Sequence, residues 1–259
     1  MVKTAKTQRK VDFIMKAQNI FDEKTFFEGY RALRERDDNH NILIEQPAMA
    51  CLLPNMVGKT VLDLGCGCGE NCIDFVHRGA KHVLGIDISN KMLEVARSNA
   101  AHPSITYRNM DMCLLDELDS EPLFDLVYSS LAFHYIEDFD KLCADIYMRL
   151  LPGGTLLFSQ EHPLNTAEGF YNKNEDGSVV SYTVFNYNRP RKREVSWFVD
   201  GVVKFHRPMA MILNALSHAG FIIEEVCEPV PQPWALQKRP ALIKEWTKPC
   251  FLIIRARKP

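Results

Sequence analysis

Short apolar runs recur along this chain, and the segments between them carry the spacing of amphipathic helices. Residues 60–64, 82–86, 105–109, 124–129 and 155–159 are rich in aliphatic or aromatic side chains and bounded by Gly, Asp, Asn or Pro, so each predicts a buried strand. Between them, 70–78 reads as a helix closed by Gly79. Ser89 is placed to cap a helix over 90–99 with Met92, Leu93 and Ala96 on one face, and 138–150 reads as a helix stopped by Pro152-Gly153-Gly154. Upstream, 10–36 carries a mixed helical pattern that includes Phe13, Ala17, Ile20, Phe21 and Phe26, expected to cover one end of the sheet. Strands alternating with helices predict a mostly parallel sheet covered on both faces.

From 162 to 207 the pattern changes to polar loops and short alternating runs. Gly177 precedes a strand over 179–185, and Asp200-Gly201 between 195–199 and 202–205 signals a hairpin, so this stretch predicts an inserted β-rich cap. The chain then returns to a helix over 209–218 ended by Gly220, a strand over 221–227, a Pro-rich loop at Pro229, Pro231 and Pro233, and a last strand over 251–256.

Composition narrows the classes without naming a function. The 259 residues suit one large α/β domain with an insertion, and 46% apolar with 25% charged residues is ordinary for a globular protein. A net charge of −2 gives no global field to draw nucleic acid or an anionic membrane, and no run approaches the roughly 18 apolar residues of a membrane span. Eight cysteines without a secretory leader predict a reducing compartment, hence a cytoplasmic protein without a disulfide framework. Cys66, Cys68 and Cys72 lie close together but lack the paired C-x-x-C spacing of structural zinc, so no metal is expected.

The candidate chemistry begins at Val61-Leu62-Asp63-Leu64-Gly65-Cys66-Gly67-Cys68-Gly69, a buried strand running into a turn whose glycines leave the backbone bare to a ligand. Such a turn also serves simply to tighten a strand-to-helix crossover. Asp87, at the end of the next strand and 22 residues after Gly65, has the spacing of a carboxylate that holds ribose hydroxyls. Position 70 is Glu where a dinucleotide fingerprint wants Gly, and Asp63 adds negative charge just before the loop. That charge repels a pyrophosphate and attracts a cationic amino acid moiety, which favours S-adenosylmethionine over NAD.

The chain here resembles the class I S-adenosylmethionine-dependent methyltransferases over most of 57–159. VLDLGCGCG, GIDIS, Asn109-Met110-Asp111-Met112, Phe124-Asp125-Leu126-Val127-Tyr128-Ser129-Ser130-Leu131 and Arg149-Leu150-Leu151-Pro152-Gly153-Gly154-Thr155-Leu156 are similar to the family's five motifs in order. The resemblance implies a Rossmann-like, seven-stranded, mostly parallel sheet with an antiparallel last strand. It divides a single domain into an N-terminal helical lid segment (1–56), a cofactor-binding core (57–161), a β-rich substrate cap (162–207) and a C-terminal helix with strands (208–259). It also implies that Asp63 and the Gly65, Cys66, Gly67 and Gly69 backbone hold the methionine portion, that Asp87 takes the ribose hydroxyls, and that Asp111 accepts from the adenine amino group. Ile88 and Met112 would sandwich the adenine, Ser129 to Leu131 would form the floor beside the methyl, and Met92 joins the cofactor side. Tyr30 and Arg34 resemble the lid segments of family members, with Arg34 facing the cofactor carboxylate. The alternatives are ordinary core roles for Ile88 and Met112, a turn role for Asp111 and a solvated helix face around Arg34.

On the substrate side, His134 and Tyr135 follow the fourth strand, and Glu161 and His162 follow the fifth, at the carboxyl ends where ligands bind in open α/β sheets. Each histidine reads either as a base or acceptor contact or as a cap bound to backbone. Trp197, Phe198, Phe205, His206 and Arg207 of the cap either frame an acceptor or pack the cap onto the sheet, and the basic run of Arg189, Arg191, Lys192 and Arg193 reads either as a contact for RNA or an acidic substrate or, more strongly, as a solvated hairpin. Ser129-Ser130-Leu131-Ala132-Phe133 stands where enzymes that methylate nucleic-acid amines and bases carry an Asn-Pro-Pro-Tyr or Asp-Pro-Pro-Tyr type segment. The expectation is a small-molecule methyltransferase that releases S-adenosylhomocysteine, with no nucleic-acid or membrane partner and no assigned oligomeric state. The alternative is a noncatalytic S-adenosylmethionine-binding protein that uses the cap as a partner surface.

Overall fold

A computed structural model describes residues 18–118 and 120–259. Phe13 and Ala17 of the expected N-terminal helical pattern lie outside them. Within them, Ile20–Asp22 forms a single 3-10 turn and Phe26 lies buried on α1 (Lys24–Glu35). A π-helical turn, Asn41–Glu45, leads into α2 (Gln46–Leu52).

The core then alternates as the apolar runs require: β1 (Thr60–Leu64), α3 (Glu70–His77), β2 (His82–Asp87), α4 (Asn90–Asn99), β3 (Ile105–Asn109), β4 (Phe124–Ser130), α5 (Phe139–Arg149) and β5 (Leu150–Glu161). The Ser89 hydroxyl caps α4 by accepting from the Met92 amide at 3.1 Å, and Asp138 caps α5 by accepting from Lys141 N–H at 2.9 Å. After the cap come α7 (Met209–Ala219), closed by Gly220, then β10 (Ile222–Cys227), α8 (Pro233–Lys238) and β11 (Phe251–Arg257).

These strands form one seven-stranded sheet in the order β10-β11-β5-β4-β1-β2-β3, with β11 antiparallel to β5 and β10 and the β5-to-β3 half parallel. Alternation along each strand feeds both faces. Leu62, Leu64, Leu84, Ile86 and Val127 pack with α5 and α7, while Val61, Val83, Leu126, Tyr128 and Leu157 pack with α2 and α3. The order reverses between β1 and β4, opening a crevice at their carboxyl ends.

Three local readings change. β5 begins at Leu150, before the Pro-Gly-Gly stretch, because Gly153 and Gly154 remain tied to Lys258 after β11 through backbone hydrogen bonds. In the cap, 168–173 is a strand and not a polar loop: β6 (Glu168–Lys173) pairs with β7 (Val179–Phe185), and β8 (Arg191–Trp197) pairs with β9 (Val199–His206) after the short helix α6 (Pro163–Thr166). The second hairpin reverses at Phe198 (φ 59) and not at Asp200-Gly201, so Gly201 (φ 76) falls within β9. The Phe198 ring, 5.5 Å from Phe26 and 5.1 Å from Trp197, anchors that reversal in an aromatic cluster.

Candidate active site

Register aligns the tips of the first three strands. Leu64 lies beside Ile86 and Asp87 beside Asn109, while Gly65 N–H and Cys66 N–H both donate to Ile86 O, at 2.9 and 3.0 Å. The glycine loop, Asp87 and Asp111 are therefore brought to one edge. Gly67 has φ +54 and would meet nothing within 4 Å of an added Cβ, so its backbone borders open space. Gly65 is the opposite case: with φ +72, an added Cβ would lie 2.8 Å from Ala132 Cβ, so the loop abuts the turn after β4.

That edge opens into a cavity of ≈ 960 Å³. Gly65, Gly67, Asp87, Ile88 and Met92 line it beside β1 and β2, and Asp111 and Met112 line it after β3. Leu131 and Tyr135 line it after β4, and Tyr30 lines it from α1. Asp63, Cys66, Gly69 and Ser129 are not in the wall. Asp63, Cys66 and Ser129 are buried behind it, and Gly69 is the left-handed N-cap of α3. The Ser129 hydroxyl donates to Leu64 O at 2.8 Å, tying β4 to β1.

Two acids set the local field. Asp87 accepts Gly67 N–H at 2.9 Å and Ser89 N–H at 2.8 Å, yet burial outweighs both bonds and pushes its pKa up to about 6. Asp63 is pushed further, to about 7, by burial, with only the Cys72 thiol donating to Oδ2 at 3.3 Å and the Asp87 charge adding to the rise. Its buried Oδ1 has no hydrogen-bond partner among the described residues. At neutral pH Asp87 is largely ionised and Asp63 partly so, and negative charge beside a bare glycine loop suits a cationic amino acid portion and disfavours a pyrophosphate, so these residues fit S-adenosylmethionine. Asp111 accepts Cys113 N–H at 2.9 Å through Oδ1 while facing the cavity.

Several residues that shape the site carry no motif. Asp22 accepts from the Ser89 hydroxyl at 2.7 Å and from Lys91 N–H at 3.0 Å, and Asn19 Nδ2 donates to Ile88 O at 3.1 Å, so the N-terminal segment is pinned to the start of α4. The Gln18 amide bridges to the cap, donating to Gly201 O at 2.9 Å and accepting Val203 N–H at 2.8 Å. Phe21 packs edge-on against Tyr30 and Tyr135, and Tyr30 against Trp197, joining lid and cap. Arg34 pairs with Glu70 at 2.6 Å and does not line the cavity. No local sequence signal marks these ties, because Asp22 and Gln18 meet their partners 67 and 183 residues away.

Of the substrate-side candidates, only Tyr135 reaches the cavity. His134 is buried, accepts Glu161 N–H at 3.4 Å and is driven by burial down to about 3, hence neutral. Burial opposes ionisation of Glu161, but His134, Lys204 and Arg193 around it outweigh that and hold it down at about 2. Lys204 lies 2.5 Å away and Arg193 3.4 Å. His162 caps α6 by accepting Leu164 N–H at 3.0 Å and donates from Nε2 to Glu228 at 2.7 Å. His206 donates from Nε2 to Tyr187 O at 2.7 Å and meets the Thr166 hydroxyl at 2.6 Å. His162 is thus a helix cap, and His206 is held by a backbone carbonyl and the Thr166 hydroxyl. The basic run is largely neutralised in the hairpin: Arg191 pairs with Glu168, Lys192 with Glu194 and Arg193 with Glu161.

Residues 61–154 match the protein family described as a methyltransferase domain. A protein of Haemophilus influenzae described as uncharacterized is 39% identical over 252 residues, covering 93% of this chain and 97% of its own. The crystal structure of an S-adenosylmethionine dependent methyltransferase from Mesorhizobium loti matches with a TM-score of 0.75 and 36% identity, covering 87% of this chain and 99% of that one. N-demethylindolmycin N-methyltransferase from Streptomyces griseus is 31% identical over 106 residues, which is 40% of this chain and 44% of that enzyme. The last similarity spans less than half of each protein.

Proposed function

Because this chain belongs to the class I S-adenosylmethionine-dependent methyltransferases, we propose that it methylates a small molecule enclosed between its N-terminal segment and its cap. One observation carries the reading. The cavity runs without a break from Asp87 and Met112 to Phe21, Tyr135, Val203 and Phe205, and the Gln18 bridge to Gly201 and Val203 ties its roof together. Its ≈ 960 Å³ matches the upper range of small-molecule sites, with room for a nucleoside and an acceptor together.

When bound, S-adenosylmethionine supplies an electrophilic methyl group on a sulfonium. Ionised Asp87 receives the ribose hydroxyls, Asp111 the adenine amino group, and Ile88 and Met112 flank the ring. The bare backbone at Gly65 and Gly67 receives the methionine portion over the Asp63 charge, while Cys66 and Gly69 hold the loop in shape. Arg34, paired with Glu70 in this structure, would hold the cofactor carboxylate only by giving up that partner. Met92 and Tyr30 close the sides, and Ser130 and Leu131 form the floor beside the methyl, with Ser129 tying β4 to β1 behind them. Phe21, Tyr135, Val203 and Phe205 align the acceptor and exclude water, so positioning rather than proton transfer is this wall's contribution. His134, Glu161, His162 and His206 support it from behind.

The test is transfer of tritiated methyl from S-adenosylmethionine into a cell extract, split by ultrafiltration. Label in a filtrate product that separates from S-adenosylmethionine and forms only when the protein is added is expected. Label confined to retained protein or nucleic acid would overturn the small-molecule reading.

A further inference from the structure

We propose that Glu45 is a positioning residue for methyl transfer, fixing the strained turn at Leu131 through the hydroxyls of Ser130 and Ser159. The inference rests on the methyltransferase reading and extends it to a residue outside the motifs.

Leu131 has φ 54, a left-handed conformation that leucine rarely adopts and that persists only when its surroundings hold it. It lines the cavity beside Ser130 and Ala132, and Ala132, the next residue, abuts Gly65 of the glycine loop. Its N–H donates to both Ser159 O and Ser159 Oγ, each at 3.0 Å. For Ser159 Oγ to accept that N–H, its single hydroxyl proton must point elsewhere. It points to Glu45 Oε1 at 2.6 Å, and the Ser130 hydroxyl donates to the same oxygen at 2.8 Å. Glu45 thus sets the orientation of the hydroxyl that holds the turn.

The position of Glu45 argues against a mere packing role. It is 0% exposed, and its Oε2 has no hydrogen-bond partner among the described residues. An apolar residue would fill this space without the cost of desolvating a carboxyl. Glu45 also closes the π-helical turn Asn41–Glu45, where Gln46 N–H reaches back to Asn41 O, and such widened turns recur at functional sites. Burial raises its pKa, yet either protonation state leaves Oε1 free to accept from the two serines.

The test compares Glu45→Leu, Glu45→Gln and Ser159→Ala with the wild-type protein. Amide exchange at Leu131 is read with S-adenosylhomocysteine bound, and affinities for S-adenosylmethionine and S-adenosylhomocysteine are measured by calorimetry. Glu45→Leu and Ser159→Ala should speed Leu131 exchange by about tenfold or more and change the ratio of the two affinities, with S-adenosylhomocysteine affinity itself held within about threefold. Glu45→Gln keeps the carbonyl acceptor and should restore the exchange rate. The double variant Glu45→Leu/Ser159→Ala should be no worse than the more affected single one. If Glu45→Leu fails to fold, Ser159→Ala carries the same readouts. Unchanged Leu131 exchange, or equal weakening of both nucleosides, would overturn the positioning role. Wild-type protein that binds neither nucleoside would instead overturn the methyltransferase reading and this inference with it.

Discussion

Asp87 Oδ2 accepts the Gly67 amide at 2.9 Å, so the acid ending β2 is bonded directly to the glycine loop that follows β1. The carboxylate organises the loop and faces the cavity at once, which couples the shape of the site to its charge. Buried where its ionised form is disfavoured, it is poised for hydroxyl donors that a ribose would bring.

The raised acids make the pH response specific. Between the ordinary value of 3.8 and about 7, Asp63 holds more protons folded than unfolded, so ligand-free stability falls as pH climbs through that window and levels off above it. Asp63→Asn should therefore raise the Tm at pH 8, on the order of 3 °C, with the gain fading toward pH 4. Calorimetric scans at both pH values check this; a Tm lowered equally at both would contradict it.

Affinity for S-adenosylmethionine should weaken as pH falls below about 6, where Asp87 takes up its proton and no longer accepts fully from the ribose. Titrations at pH 7.5 and pH 5 measure the difference. A pH-independent affinity would remove the Asp87 charge from binding.

Asp22→Ala removes the acceptor for the Ser89 hydroxyl and the Lys91 amide. The expected loss is about 1 kcal/mol of stability at neutral pH, with faster amide exchange over residues 19–35. The bonds to Ser89 and Lys91 outweigh burial and hold the Asp22 carboxyl below its ordinary value, so its contribution is present above pH 3.8 and is lost as pH falls through the lowered value. Exchange confined to other segments would show that Asp22 does not pin the N-terminal segment.

Two glycines should fail in different ways. At Gly85 an added Cβ would lie 2.9 Å from Cys72 Sγ and 3.0 Å from Cys66 Sγ, so Gly85→Ala should destabilise the fold, by about 1–3 kcal/mol. Gly67→Ala meets open space and should keep most of the stability, apart from about 1–2 kcal/mol of backbone strain, while losing nucleoside binding. Denaturant unfolding set beside calorimetric binding separates the two; equal losses in both properties for both variants would contradict the account.

The parallel core was legible because buried strands write continuous apolar runs, and each of β1 to β4 starts and ends within one residue of the expectation. The glycine loop and Asp87 were legible because a bare turn and the acid of the next strand tip need fixed spacing, whereas Asp111 was named only through the resemblance of its motif; Gly65, Gly67, Asp87 and Asp111 all line the cavity. The second cap hairpin was misread because Asp200-Gly201 is a strong local turn signal, while the reversal is held at Phe198 by ring contacts with residues of α1 and β8. His134, Glu161 and His162 sit at the expected strand ends, but their direction is set by Lys204, Arg193 and Glu228, which only tertiary packing brings near. Asp22 and Glu45 act through partners 67 and 114 residues away, a distance at which no local pattern exists.

The most direct measurement is calorimetric titration of S-adenosylhomocysteine into the wild-type protein and into Asp87→Ala, with NAD as the control. Saturable binding of S-adenosylhomocysteine to wild type, weakened by about two orders of magnitude in the variant, with no heat from NAD, is the predicted result. Equal affinity in the two proteins, or saturable binding of NAD alone, would contradict the account.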